Sequence, residues 1–367
     1  MKKIIAFIIV VFVFFNTSSI SVFAEENVGN IKDMLPHETI EILEQNGFDA
    51  LDINSLKTLS LSDILKYIEN LIKTQINTPF LLIYAIFIIT LIITLVRGIN
   101  GRLLSSEIDN TLRIIGILSL CTTILTPIIS CIVETKTLIE NLSTFTKSFV
   151  PILTGVMVSA GQSTSGLGYQ AIMLAAVEIL SSFLSSVIIP MLFIFLAISI
   201  TGKISSFINL NSITTTVKTT INWALGLSVG LFIALITIKG LIGAGADSLA
   251  LRTGRYFVGS FVPAVGSALS EAAATAIKGM GIIKNTTGVF GIIAAALYIF
   301  PPLIKVLLYK FTCDISAILG EMLGAEKICG VIRDISAVLG LLSSIILSYG
   351  AIIILSTALT LIIGGNI

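Results

Sequence analysis

The chain has little charge: only 12% of its 367 residues are Asp, Glu, Lys or Arg, about half the share that wets the surface of an ordinary soluble domain. That deficit excludes a soluble enzyme of common type. Disorder is excluded as well, because 55% of the chain is hydrophobic and the mean hydropathy is +1.04, the reverse of what keeps a chain unfolded. There is no basic excess to meet nucleic acid, since 22 Lys and Arg stand against 21 Asp and Glu,. With one histidine, His37, no multi-histidine metal centre can form. Cys121, Cys131, Cys313 and Cys329 form no CxxC pair and suggest neither a disulfide frame nor a zinc site,. Gly202-Lys203 closes no P-loop, because Ala197 stands where the first glycine is required,. Gly240, Gly243 and Gly245 follow an apolar run with no sheet pattern around them, so they make no dinucleotide site. No nucleophile and base pair is visible, so no enzyme activity and no cofactor are expected. What is present is a set of long apolar runs, and the expected fold class is an all-α polytopic membrane protein.

The N-terminus is built like a secretory leader. Lys2 and Lys3 precede the apolar run 4–15, polar residues 16–19 follow, and Val22-Phe23-Ala24 stands directly before Glu25. This order predicts a signal peptide over 1–24 with cleavage between Ala24 and Glu25; the alternative is a short anchor that is never cut. Either way the following residues start outside the cytoplasm. Residues 25–77 hold fourteen of the charged side chains. Ile64, Leu65, Ile68, Leu71 and Ile72 recur there at helical spacing behind the capping residues Ser62 and Asp63,. The segment reads as a small helical extracytoplasmic piece, either a docking surface or an amphipathic lead-in to the first span.

Residues 78–142 carry two predicted transmembrane helices. Pro79 suits a helix start, 80–96 is charge-free, Arg97, Arg102 and Arg113 follow, and 114–133 returns outward,. Positive charge gathers on cytoplasmic loops, which places the 97–113 loop inside. The remainder compares with itself. Ser148-Phe149-Val150-Pro151 recurs as Ser260-Phe261-Val262-Pro263, an offset of 112 residues, and Pro190 faces Pro302 at the same offset. Ile204-Ser205 answers Ile315-Ser316, and Gly226-Leu227 answers Gly340-Leu341. These matches predict membrane repeats over 143–254 and 255–367, within about six to eight transmembrane helices in all. Segments 149–160 and 256–274 are rich in Gly, Ser and Ala. They either re-enter, which makes the halves parallel, or cross fully, which makes them inverted. Parallel halves put nine cations inside: Arg97, Arg102, Arg113, Lys203, Lys218, Lys305, Lys310, Lys327 and Arg333. Inverted halves exchange Lys203 and Lys218 for Lys239, Arg252 and Arg255, a slight advantage of one,.

Ionisable residues at membrane depth are the default place for function. Glu178 is the only charge between Lys147 and Lys203. It is a candidate for lining a polar path or binding a cation or proton, and Glu178→Gln is expected to impair function without loss of protein. Glu271 and Lys305 are weaker candidates, Lys305 because it can snorkel from a helix end. Pro151, Pro190, Pro263 and Pro302 are candidate helix breaks. Residues 203–218 and 311–334 look like amphipathic linkers that lie in the interface, meet a partner or cap their own bundle. Gly226 and Gly230 form one GxxxG that lets helices approach closely.

The leader ending Val22-Phe23-Ala24, the acidic outer segment, the Ser148-to-Pro151 and Ser260-to-Pro263 motifs and Thr201-Gly202-Lys203-Ile204-Ser205 together resemble the stage III sporulation protein AE family of endospore-forming bacteria. The resemblance implies a multi-pass protein of the mother-cell membrane facing the forespore. It implies membership of a multiprotein channel complex that supports late forespore gene expression. Its expected partners are other membrane proteins of the same operon, a forespore-membrane protein and the bilayer, with an ATPase of that operon supplying the missing nucleotide site. Association of copies of the chain is left open, and the resemblance supplies no active-site residues. The other reading of the sequence is a membrane scaffold that recruits partners without forming a conduit.

Overall fold

The computed structural model describes residues 61–100, 106–204, 211–261 and 266–363, and every element among them is helical. In chain order these are α1 (Leu61–Gln75), α2 (Asn77–Asn100), α3 (Ser106–Ser159) and α4 (Ser163–Phe183). A single π turn (Leu184–Ile188) leads into α5 (Ile189–Ile204), followed by α6 (Asn211–Phe261), α7 (Gly266–Met322) and α8 (Glu326–Ile363). Six stretches are long and apolar enough to cross a membrane: Asn77–Gly98, Ile108–Ser159, Ser163–Ile204, Ser212–Ile238, Gly279–Met322 and Ile328–Leu361. The all-α polytopic class expected from composition is therefore the one observed. The leader, the Ala24/Glu25 cleavage point, His37 and Pro263 lie outside the described residues.

A charge-poor chain must satisfy its backbone internally, which favours helices. Its hydroxyls are absorbed the same way: Thr90, Thr135 and Thr146 donate to the carbonyls four residues back at 2.7 Å each,. Two glycines end helices where a left-handed residue is required. Gly161 (φ 78°) closes α3, with Gln162 N donating to Met157 O and Gly161 N to Val158 O, both at 2.9 Å. Gly324 (φ 82°) closes α7 with the same bond pattern, the Schellman arrangement that a side chain would strain.

The passes alternate in direction. Along α3 and α7, Glu134 meets Lys305 and Phe145 meets Tyr298, so those two run antiparallel. Lys203, at the end of α5, reaches Asp334 near the start of α8. Asp247, late in α6, reaches the start of α4. The α3–α4 turn therefore marks one end of the bundle, called here the turn end, and the α7–α8 turn marks the opposite, connecting end. α7 and α8 form the central hairpin, with 61% and 67% of their spanning windows buried, whereas α2 and α6 lie at the periphery with 22% each.

Several expectations are corrected. Residues 149–159 neither re-enter nor cross alone; they are the last three turns of α3. Segments 143–254 and 255–367 each contain one pass from the turn end and one back to it, so their passes run parallel and not inverted. The boundaries at 142/143 and 254/255 fall inside α3 and α6, and one core cluster joins both segments. Residues 311–322 form no interfacial linker: Thr312, Cys313, Ser316 and Ala317 are buried as α7 continues through them. Gly226 and Gly230 face open space, so their GxxxG packs against nothing among the described residues. Close approach occurs instead at Gly291, where an added Cβ would lie 2.1 Å from the Phe149 ring, and at Gly350 against Ile299.

Candidate functional site

Among the described residues, Pro151 and Pro302 do not break their helices. α3 runs through Pro151, and α7 runs through Pro301 and Pro302. Pro190 is the second residue of α5 and follows the π turn, which makes room for a ring that would otherwise strike the carbonyl four residues earlier,. Lys305 sits mid-helix and is partly buried, with Nζ 2.5 Å from Glu134 Oε1. Glu178 does not line the bundle interior. It is 64% exposed on α4 and ion-paired with Lys147 of α3. The reason is helical geometry: a residue isolated in an apolar sequence still faces outward if its turn of helix does, and Val177 beside it takes the buried position,.

Besides Arg113 near the connecting end, the buried charges among the described residues stand at the turn end. Asp247, 2% exposed, accepts the backbone N–H groups of Thr164 and Ser165 through its two carboxylate oxygens, both at 2.9 Å. It thus caps α4 from α6, where the exposed amides and helix dipole favour an anion. Gln162 occupies the N-cap position of α4 but gives no side-chain cap. Its Oε1 instead accepts from Lys284 Nζ at 3.3 Å, and Leu361 O accepts from the same nitrogen at 3.4 Å. Lys284 is 1% exposed. Both of its acceptors are neutral, and among the described residues no carboxylate comes within ion-pair distance. Two turns along α4, Tyr169 and Thr357 hydroxyls pair at 3.2 Å. A buried ammonium with three donors and two long, neutral acceptors can bind an anionic group or release its proton, which makes Lys284 the strongest candidate for chemistry in the described bundle.

Sequence reasoning passed over both residues. Asp247 follows a glycine-rich run and Lys284 precedes an apolar one, and no local spacing sets either apart. Glu178 looked lonely because nothing charged is near it in sequence.

The paired charges define a second feature. Arg97 bonds Asp109 through two nitrogens at 2.6 and 2.8 Å, and Arg113 donates to Lys203 O at 2.8 Å, both near the connecting end. Farther along, Glu134 pairs with Lys305 partway up the bundle, and about 20 Å beyond it on α3 Lys147 pairs with Glu178,. On α3 the interval from Arg113 to Glu134 is about 32 Å at the helical rise, and on α6 the interval from Lys218 to Lys239 is about the same. Both match a hydrocarbon core of about 30 Å. α3 has 54 residues and is about 80 Å long, so it continues well past the Glu134–Lys305 pair.

A family model described as Stage III sporulation protein AE matches residues 48–364. The curated Stage III sporulation protein AE of Bacillus subtilis (strain 168) is 23% identical over 234 residues, 62% of this chain and 57% of that relative. The matched stretch thus spans a little over half of the relative's length. No solved structure matches the chain.

Proposed function

Because the chain belongs to the stage III sporulation protein AE family, we propose that it is an integral membrane component of a sporulation-specific multiprotein channel or transport complex between mother cell and forespore. In this reading it lies in the mother-cell membrane facing the forespore, and late forespore gene expression depends on it. Its partners are other membrane proteins of the same operon and a forespore-membrane protein. The observation that carries the reading is the height of the bundle. A bilayer fits between the Arg97, Arg113 and Lys203 level and the Glu134–Lys305 pair, and the turn end with Lys284 and Asp247 then projects beyond it. On the topology that the positive-inside bias favours, that projection is extracytoplasmic, where partners from the opposing membrane are met.

The interior of the single bundle is filled by Phe145, Ile117, Ile124, Ile139 and their neighbours. A conduit would therefore run between copies or between this chain and its partners. The packed interior equally favours the second reading, a scaffold that recruits partners without itself forming a path.

Replacing Lys284 with Met in the chromosomal gene of an endospore-forming host separates these readings. Met keeps the stem and removes the charge, so the protein is expected to reach the membrane at its normal level and to co-isolate with its partners. A fall of about tenfold or more in a late forespore reporter, with assembly intact, supports transport through the turn end. Full reporter activity at normal protein level removes Lys284 from the mechanism. Excising residues 26–58 behind the leader tests the scaffold: loss of assembly alone favours it.

A further inference from the structure

α6, α7 and α8 border an open cleft of about 360 Å³ near the connecting end, and three cations from three helices line it: Lys218, Lys310 and Arg333. Asn222, Ser336 and Ser344 supply its neutral polar wall. The acidic partners stand behind the cations and do not line the space. Lys310 Nζ lies 2.5 Å from Asp314 Oδ2, and Arg333 Nη2 lies 2.5 Å from Glu321 Oε2. Ser336 donates to the other oxygen of Asp314. Lys218 has no ion-pair partner among the described residues, so the lining carries a net positive charge. Gly340 keeps the wall low: an added Cβ there would touch only the Lys310 stem, at 3.6 Å.

Depth matters as much as charge. Lys218 and Arg333 each lie two turns from their helix starts, at the level of Arg113, Lys203 and Asp334. This is the headgroup level of the leaflet that the positive-inside bias assigns to the cytoplasm. Basic pockets between transmembrane helices on that side hold lipid phosphates, and a guanidinium with two ammonium groups suits a phosphate better than a carboxylate, having donors for three oxygens.

We propose that this cleft is a binding site for the phosphate of an anionic phospholipid headgroup. Lys218, Lys310 and Arg333 hold the phosphate oxygens, Asn222, one turn deeper on α6, faces the glycerol oxygens, and the exposed apolar side chains of α6, Trp223, Leu227 and Leu231, lie along the acyl chains. The site is independent of Lys284 and of the transport reading, since it lies at the opposite end of the bundle.

The test uses the full chain purified in detergent, with native mass spectrometry counting retained lipid after mixed phosphatidylglycerol and phosphatidylcholine are offered. Phosphatidylglycerol should be retained preferentially. Lys218→Gln should weaken its retention about five-fold, the worth of one surface cation, while Lys218→Arg restores it. Lys218 is exposed, so the Gln variant folds, which its elution volume and helical circular dichroism will confirm. Inorganic phosphate that displaces the lipid supports phosphate recognition. Equal retention of the two lipids, or unchanged phosphatidylglycerol retention in Lys218→Gln, overturns the site. Inorganic phosphate that raises thermal stability equally with and without phosphatidylglycerol overturns the lipid as its occupant.

Discussion

Asp247 at the turn end and Glu178 on the outer face of α4 are both carboxylates on apolar helices, and they live in opposite surroundings. Asp247 is 2% exposed and holds two backbone amides of another helix. Glu178 is 64% exposed and holds one lysine. Isolation in sequence reported neither fact. What sets the weight of a charge is how many of its partners would be stranded by its loss, and only Asp247 leaves a buried donor behind.

The comparison is broken most severely by Asp247→Ala. That change strands the buried Ser165 amide and the partly buried Thr164 amide at the start of α4 and removes a charge that complements the α4 dipole,. The expected loss is about 3 kcal/mol, read from unfolding of the purified chain in detergent. Asp247→Asn keeps one acceptor and should recover part of it. A loss no larger than that of an exposed carboxylate would show that the α4 start is wetted and that the turn end is not sealed.

A smaller effect is expected from Gly291→Ala, which probes the packing beneath the same end. The new methyl would meet the Phe149 ring at 2.1 Å, and Phe149 cannot step aside because it stacks on Phe145, with centroids 5.5 Å apart. Overpacking of this kind costs about 2 kcal/mol. Combining it with Phe149→Leu should return much of the loss, whereas two independent sites would simply add. Gly226→Ala on the outer face of α6 meets nothing and serves as the neutral reference.

These two sites show where the sequence was readable. The spans could be read because a charge-free apolar run of sufficient length has few other uses, and the charge-bounded intervals on α3 and α6 match a bilayer. Helix ends could not be read that way: charge marks the edge of the hydrocarbon layer, while α3 keeps its hydrogen-bond ladder through Glu134, Lys136, Glu140 and Lys147 to Ser159. The Ser148-to-Pro151 motif was visible as a pattern, but its physical content is Phe149 filling the gap over Gly291, a partner on a distant helix that no local spacing announces. Asp247 was hidden for the same reason, since its ligands are amides of α4. The candidate site was thus the least legible part, being assembled entirely from contacts between helices far apart in sequence.

Glu178→Gln is the mildest change and the sharpest test of the contrast. The sequence alone predicts impaired function from it, because a lone acid amid apolar residues suggests a polar path. The structure predicts the opposite. Both Glu178 and Lys147 are about half exposed or more, and exposed pairs contribute only about 0–1 kcal/mol. The amide can still accept from Lys147, so even the geometry of the contact survives. The variant should match the parent in unfolding midpoint, membrane level and late forespore reporter activity, while Lys284→Met in the same host does not. Should Glu178→Gln abolish the reporter with the protein still present, the outward face of α4 is itself the functional surface, and the path runs between chains at the level of the Lys147–Glu178 pair and not through the turn end.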